Sequence, residues 1–166
     1  QWLMKNTNQN SVVATLSPQT NAELLLHTNN KVFYPNGVLT TVSNDEIWKR
    51  YMIINALFGV PEEDFAQSIS KNQFILLYLF GDYYSVDKSF NRFFKGNPNR
   101  EASVAEREMR SGEYKKINNN LLAALPMYKI EYVYVDDRIK HIQSDGKFFG
   151  DLVYGNGNIK IYKFLK

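Results

Sequence analysis

The side chains able to do chemistry are few and scattered. The chain holds two histidines, His27 and His141, and no cysteine. Without thiolates, a zinc site would need aspartate or glutamate to complete it. Four aspartates, Asp136, Asp137, Asp145 and Asp151, lie near His141 in sequence. With a serine such a set could form a hydrolytic triad, because triads assemble across a fold, yet no nucleophile-elbow motif accompanies it. Asp136-Asp137-Arg138 separates two β-forming runs, where aspartate serves turn geometry, and it reads as a turn. Gly155-Asn156-Gly157 lacks the downstream lysine and helix of a phosphate loop and reads as a hairpin turn. Tyr83-Tyr84 lacks the paired histidines and metal that a DNA-nicking tyrosine requires, so it reads as packing. Arg107, Arg110, Lys115 and Lys116, with Tyr114 interleaved, form a basic stretch that could hold a phosphate backbone. Glu106, Glu108 and Glu113 interrupt it, which favours a salt-bridged helix face. No catalytic group, metal or cofactor is expected.

The elements that must position these residues fall into three zones. Residues 1–30 are polar and asparagine-rich and read as an N-terminal arm, partly disordered, with a short strand near Val12–Leu16. Residues 31–166 read as a single α+β domain. Lys31–Val42 predicts a hairpin turning at Pro35-Asn36-Gly37. Ser43 and Glu46 have capping-box spacing, and Ile47, Tyr51, Ile54 and Phe58 make one buried stripe of the helix that follows. Gly59 stops it, and Pro61 with Glu62 and Glu63 opens the next helix, with Phe65 and Ile69 inward. Phe74–Phe80 is apolar throughout and reads as a buried helix. Further helices are expected from Ser85, with Phe90, Phe93 and Phe94. Another runs over Arg100–Arg110, with Ala102, Ala105 and Met109 in register, and is interrupted at Gly112. The last runs from about Glu113 to Leu125 and ends at Pro126.

The last forty residues read as short β runs broken by turns: MYKIEYVYV, RIKHIQS, KFFGDLVY and NIKIYKFLK. Asp-Gly and Gly-Asn-Gly supply residues that tolerate positive φ. They predict a C-terminal antiparallel β-meander with bulky residues on both faces. Tyr128, Ile130, Tyr132 and Tyr134 are read as pointing one way, and Val133 and Val135 the other. In the last strand Ile159 and Ile161 oppose Tyr162 and Phe164. One face must cover the helices. The second is either an interaction surface or is covered by the N-terminal segment.

At 166 residues the chain can bury a core without disulfide staples. The net charge of +3 is mild for a nucleic-acid binder. It is unevenly spread: residues 45–87 carry three bases against seven acids, and residues 88–116 carry eight bases against four acids. A dipolar surface of this kind orients a partner or a second copy of the chain. The longest apolar run, seven residues, cannot span a membrane. The chain starts at Gln1, which leads us to expect a signal peptide or anchor upstream.

The layout of polar arm, helices and terminal antiparallel sheet resembles the periplasmic domains of conjugation and type IV secretion assembly subunits. The local match is SNDEIWKRYMIINALFGVPEEDF, residues 43–65. The resemblance implies a nuclear transport factor 2-like fold and a non-enzymatic scaffold, dimeric, on the periplasmic face of the inner membrane. We expect a binding or assembly module with protein partners, a homodimer among them, and no small-molecule substrate. Its best contact residues are Tyr132, Tyr134, Tyr162 and Phe164, with Arg107, Arg110, Tyr114, Lys115 and Lys116 second. Two alternatives stand beside it. One is a carboxylate and histidine enzyme using Asp136, Asp137, Asp151 and His141. The other is a nucleic-acid-associated protein of phage or plasmid type using residues 88–116.

Overall fold

Residues 1–34, 36, 40–71, 73–80, 104–139 and 149–165 are described by the computed structural model. Five strands form one mixed sheet in the order β2-β1-β3-β5-β4. They are β1 Val12–Ala14, β2 Lys31–Val32, β3 Tyr132–Asp136, β4 Asp151–Asn156 and β5 Ile159–Lys163. β1 lies parallel to both β2 and β3, and β5 runs antiparallel to β3 and β4. The fold class is therefore α+β, as the sequence pattern implies.

The amino-terminal thirty residues are built into this sheet. Helix α1 (Trp2–Asn6), strand β1, helix α2 (Pro18–His27) and strand β2 follow one another. Ser17 caps α2, its hydroxyl accepting from the Thr20 amide at 3.1 Å, with Pro18 in the first turn. A parallel pair needs a crossover, and α2 is that crossover between β1 and β2. Val13 and Ala14 are fully buried in it. Lys31–Val32 pairs with β1, and Phe33 continues the ladder through a bond to the Val13 carbonyl at 3.0 Å. The expected hairpin of Lys31–Val42 is not seen in the described residues: β2 pairs in parallel with β1, and Thr40–Val42 are not strand, while Pro35 and 37–39 lie outside the described residues.

Both helix ends of this segment are tied by one residue. The Thr7 and Thr28 hydroxyls each donate back to a helix carbonyl, Leu3 at 2.6 Å and Leu24 at 2.7 Å. Asn30, buried, donates its side-chain amide to the Thr7 hydroxyl at 2.8 Å and its backbone amide to the Thr28 hydroxyl at 3.2 Å. That clamp holds a five-residue helix too short to persist alone.

The main core lies on the opposite face of the sheet. Helices α3 (Asn44–Leu57), α4 (Glu62–Lys71), α5 (Gln73–Phe80), α6 (Val104–Asn119) and α7 (Leu121–Ala124) gather there. Ser43 caps α3 through the Glu46 amide at 3.3 Å. The Glu46 carboxylate does not close the box; it pairs with Arg50 at 2.8 Å. The predicted stripe is buried, and so are Trp48, Met52, Ile53 and Ala56 between its members, because α3 is packed on nearly every side. Gly59, at φ 67°, ends it in a Schellman arrangement, with Gly59 donating to Ala56 and Val60 to Asn55. Phe65 and Ile69 face inward, and Phe74–Phe80 is helical, as expected.

Three expectations change. Gly112 does not interrupt a helix, since α6 runs through it; its position is open on the surface, and a lone exposed glycine costs only about 1 kcal/mol. The inward residues of α6 are Arg110, Tyr114 and Ile117, whereas Ala105 and Met109 are exposed. The C-terminal strands do not run in meander order, because β5 inserts between β3 and β4. The Gly157-Asn158 loop still closes the β4–β5 hairpin, with Asn156 paired to Ile159. Residues 81–103 and 140–148 lie outside the described residues, and with them Tyr83-Tyr84, the helix expected from Ser85, most of the expected β run 138–144, His141 and Asp145.

Candidate functional site

The described aspartates that the alternative enzyme reading would use are held apart. Asp136 is 7% exposed and takes a forked bond from Arg138, Nη2 to Oδ2 at 2.6 Å and Nε to Oδ1 at 2.8 Å. The Arg138 amide also donates to Oδ1 at 3.0 Å, and Ile139 donates to the Asp136 carbonyl at 3.0 Å, closing the predicted turn. Hydrogen bonding from Arg138 holds the Asp136 carboxyl below its ordinary range, against the opposing effect of burial. Asp137 pairs with Lys160 at 2.7 Å. Asp136 stands opposite Ile159 and Asp151 opposite Lys163, at the two ends of β5. Four residues of strand separate them, about 13 Å. Asp136 and Asp151 therefore cannot share a substrate atom. Among the described residues no group of three His, Asp or Glu side chains could hold a metal ion.

The basic stretch is also largely structural. Tyr114 is fully buried and so contributes nothing to a surface. Its ring stacks on Phe65 at 4.1 Å and its hydroxyl donates to the Val60 carbonyl at 2.5 Å, and burial pushes that phenol well up. Arg110 leaves only 11% of its side chain exposed, lies over Trp48, and pairs with Asp45 at 2.8 Å and Glu113 at 2.9 Å. It fastens α6 to the start of α3. Lys115 reaches Glu62 at 3.7 Å; Lys115 and Lys116 are exposed and Arg107 is half-buried.

The sheet divides the four aromatic contact residues between its faces. Tyr162 and Phe164 pack with Val133 and Val135 on the main core, Tyr162 lying 5.4 Å from Phe149. Tyr132 and Tyr134 turn to the other face with Ile161. Tyr128 and Ile130 precede the strand and join the main core, contrary to their expected grouping with Tyr132. The second face is neither fully open nor fully covered. Trp2 closes part of it, edge-on to Tyr132 at 6.3 Å and stacked on Tyr154 at 5.7 Å.

What α1 leaves uncovered is a cleft of about 320 Å³ between α1, α2 and the sheet. Thr20, Glu23, Leu24 and His27 form one wall, at the helical spacing that aligns them along α2. Tyr134 on β3, Tyr154 on β4, and Ile159 and Ile161 on β5 form the other, with Trp2 and Leu3 from α1 at the side. Of this lining Leu3, Leu24 and Ile161 are buried, Tyr134 and Tyr154 are half-buried, and Glu23 and His27 are exposed. Burial raises the Tyr134 phenol above its ordinary value, and the Asp136 and Glu23 carboxylates raise it further against Arg138. His27 lines the cleft and is exposed, and no aspartate is among the lining residues.

The sequence reading named His27 and Tyr134 but missed Trp2, Glu23 and Tyr154. The available signal was Ser17-Pro18, a helix start followed by Thr20, Glu23, Leu24 and His27 on one face. No helix among the described residues is long and apolar enough to cross a membrane. Searches of protein-family models, curated proteins and solved structures find no match to this chain.

Proposed function

We propose that this chain is a non-enzymatic binding and assembly module that docks protein partners, the cleft beside α1 being its contact site. The observation that carries this is the employment of its acids and bases. Asp136, Asp137, Arg110 and Arg50 are bound to neighbours that fix the fold, while the cleft mixes aromatic and aliphatic groups with polar ones, Glu23 and His27 among them. Clefts that combine apolar lining with placed polar groups suit recognition. A second copy of the chain is among the partners this reading admits. Placement in a bacterial envelope assembly, on the periplasmic face, is part of the same proposal; it is supported by the likeness of residues 43–65 to conjugative assembly subunits.

Two measurements test it. Fractionation of the source cell is expected to put the full-length gene product with the envelope; recovery only with cytosolic proteins removes the envelope assignment. Chromogenic ester, phosphodiester and peptide substrates are expected to turn over at the blank rate. Turnover abolished by Glu23→Gln or His27→Ala would replace the binding reading with a hydrolytic one.

A further inference from the structure

The cleft has a chemical character that selects its occupant. We propose that it receives a cationic side chain, arginine or lysine, of a protein partner, with the charged head against Glu23 and the aromatic lining of Trp2, Tyr134 and Tyr154. The inference rests on the binding reading above and specifies its ligand.

Size comes first. A volume of about 320 Å³ is at the low end for ligand pockets, roughly 300–1,000 Å³, and suits one long side chain. Charge comes next. Glu23 is exposed; its hydrogen bond from Gln19 is weak, at 3.5 Å, and the more distant Arg138 guanidinium also acts on its charge. The nearby Asp136 carboxylate is already matched by Arg138. At Tyr134 burial is the main effect on the phenol, and the Asp136 and Glu23 carboxylates add to it against Arg138. An anion would meet Glu23 unfavourably. A cation would gain both Glu23 and the ring quadrupoles. The aliphatic part of the lining, Leu24, Ile159 and Ile161, matches the methylene stem of arginine or lysine, which lies on apolar surface while the head stays near water. A neutral aliphatic side chain would use the aliphatic lining and leave Glu23 unanswered.

The test is a titration of the isotopically labelled chain, followed by amide chemical shifts. The probes are the blocked amides of arginine, lysine, norleucine and glutamate, and a short peptide with one arginine flanked by neutral residues. Arginine and lysine amides are expected to move signals of α2, Tyr134 and Tyr154 saturably, and norleucine and glutamate amides are not. Because Glu23 is exposed, Glu23→Gln is expected to weaken binding roughly two- to fivefold, Glu23→Lys by more, and Glu63→Gln on α4 not at all. The peptide is expected to bind more tightly than the free amide, which identifies a protein as the source of the cation; equal affinity would overturn that source. Norleucine binding as well as arginine, or Glu23→Lys without effect in a chain whose spectrum shows it folded, overturns the proposal. If cations fail while a partner still cross-links at the cleft, the specific ligand falls and the binding reading stands.

Discussion

Removing the Tyr114 side chain should unfasten α6 from the rest of the helical layer. Its ring is fully buried and stacks on Phe65 at 4.1 Å with planes 14° apart, and its hydroxyl donates to the Val60 carbonyl just past the end of α3. Tyr114→Phe keeps the stack and orphans a carbonyl, which costs about 1–2 kcal/mol. Tyr114→Ala also loses the ring and leaves a cavity, for about 3–5 kcal/mol. At this chain length each kcal/mol moves the melting midpoint by roughly 2–4 °C. The two variants should therefore melt roughly 2–8 °C and at least about 6 °C below the parent. Urea unfolding followed by far-ultraviolet circular dichroism gives the free energies, with the slope checked for constancy. A Tyr114→Ala cost below about 1 kcal/mol, with rapid nitration of Tyr114 in the folded parent, would refute this packing and return Tyr114 to the surface.

Three further outcomes are expected. Asp136→Asn should destabilise the chain at neutral pH; because Arg138 lowers the folded carboxyl's pKa, that contribution is present above the unfolded value of about 3.9 and is lost as pH falls through the lowered one. The gap between parent and variant in urea unfolding should thus close in acid, and a gap unchanged in acid would contradict the pairing. Gly150→Ala should fail to fold or lose several kcal/mol, of order 3 or more, since Gly150 sits at φ 74° and a Cβ would strike the Lys163 carbonyl oxygen; a soluble variant with parental melting would contradict the path into β4. Tyr34 and Tyr51 are raised by burial, as is Tyr78, to about 12. Their neutral forms stabilise the fold below the unfolded phenol value of about 10, so stability should fall as pH rises above it. These phenols should ionise together with unfolding, and ionisation well before unfolding would count against their burial.

What the sequence made legible was local. Ser43, Gly59 and Pro61 mark helix boundaries by backbone chemistry that acts within a few residues, and the Gly157-Asn158 hairpin is equally local. What it hid was pairing over distance. β1 has three residues and β2 two, too short to show a period of two. Their parallel register depends on α2 between them and on β3 more than a hundred residues later. Polarity also misled: the first thirty residues are rich in asparagine, yet Asn21 and Asn30 are buried and bonded to backbone and hydroxyl groups. The insertion of β5 between β3 and β4 is a topological choice that no single strand encodes. The cleft followed from these unseen pairings, because its walls come from α2 and three strands that are distant in sequence.

Placing a photo-reactive phenylalanine at Tyr154 in the source cell, and repeating it at exposed Glu63 on α4, tests the binding claim most directly. A discrete protein adduct is expected from position 154, lost when Glu23 is changed to lysine, and none from position 63. An adduct from position 63 with none from position 154, in chains that melt like the parent, would contradict it.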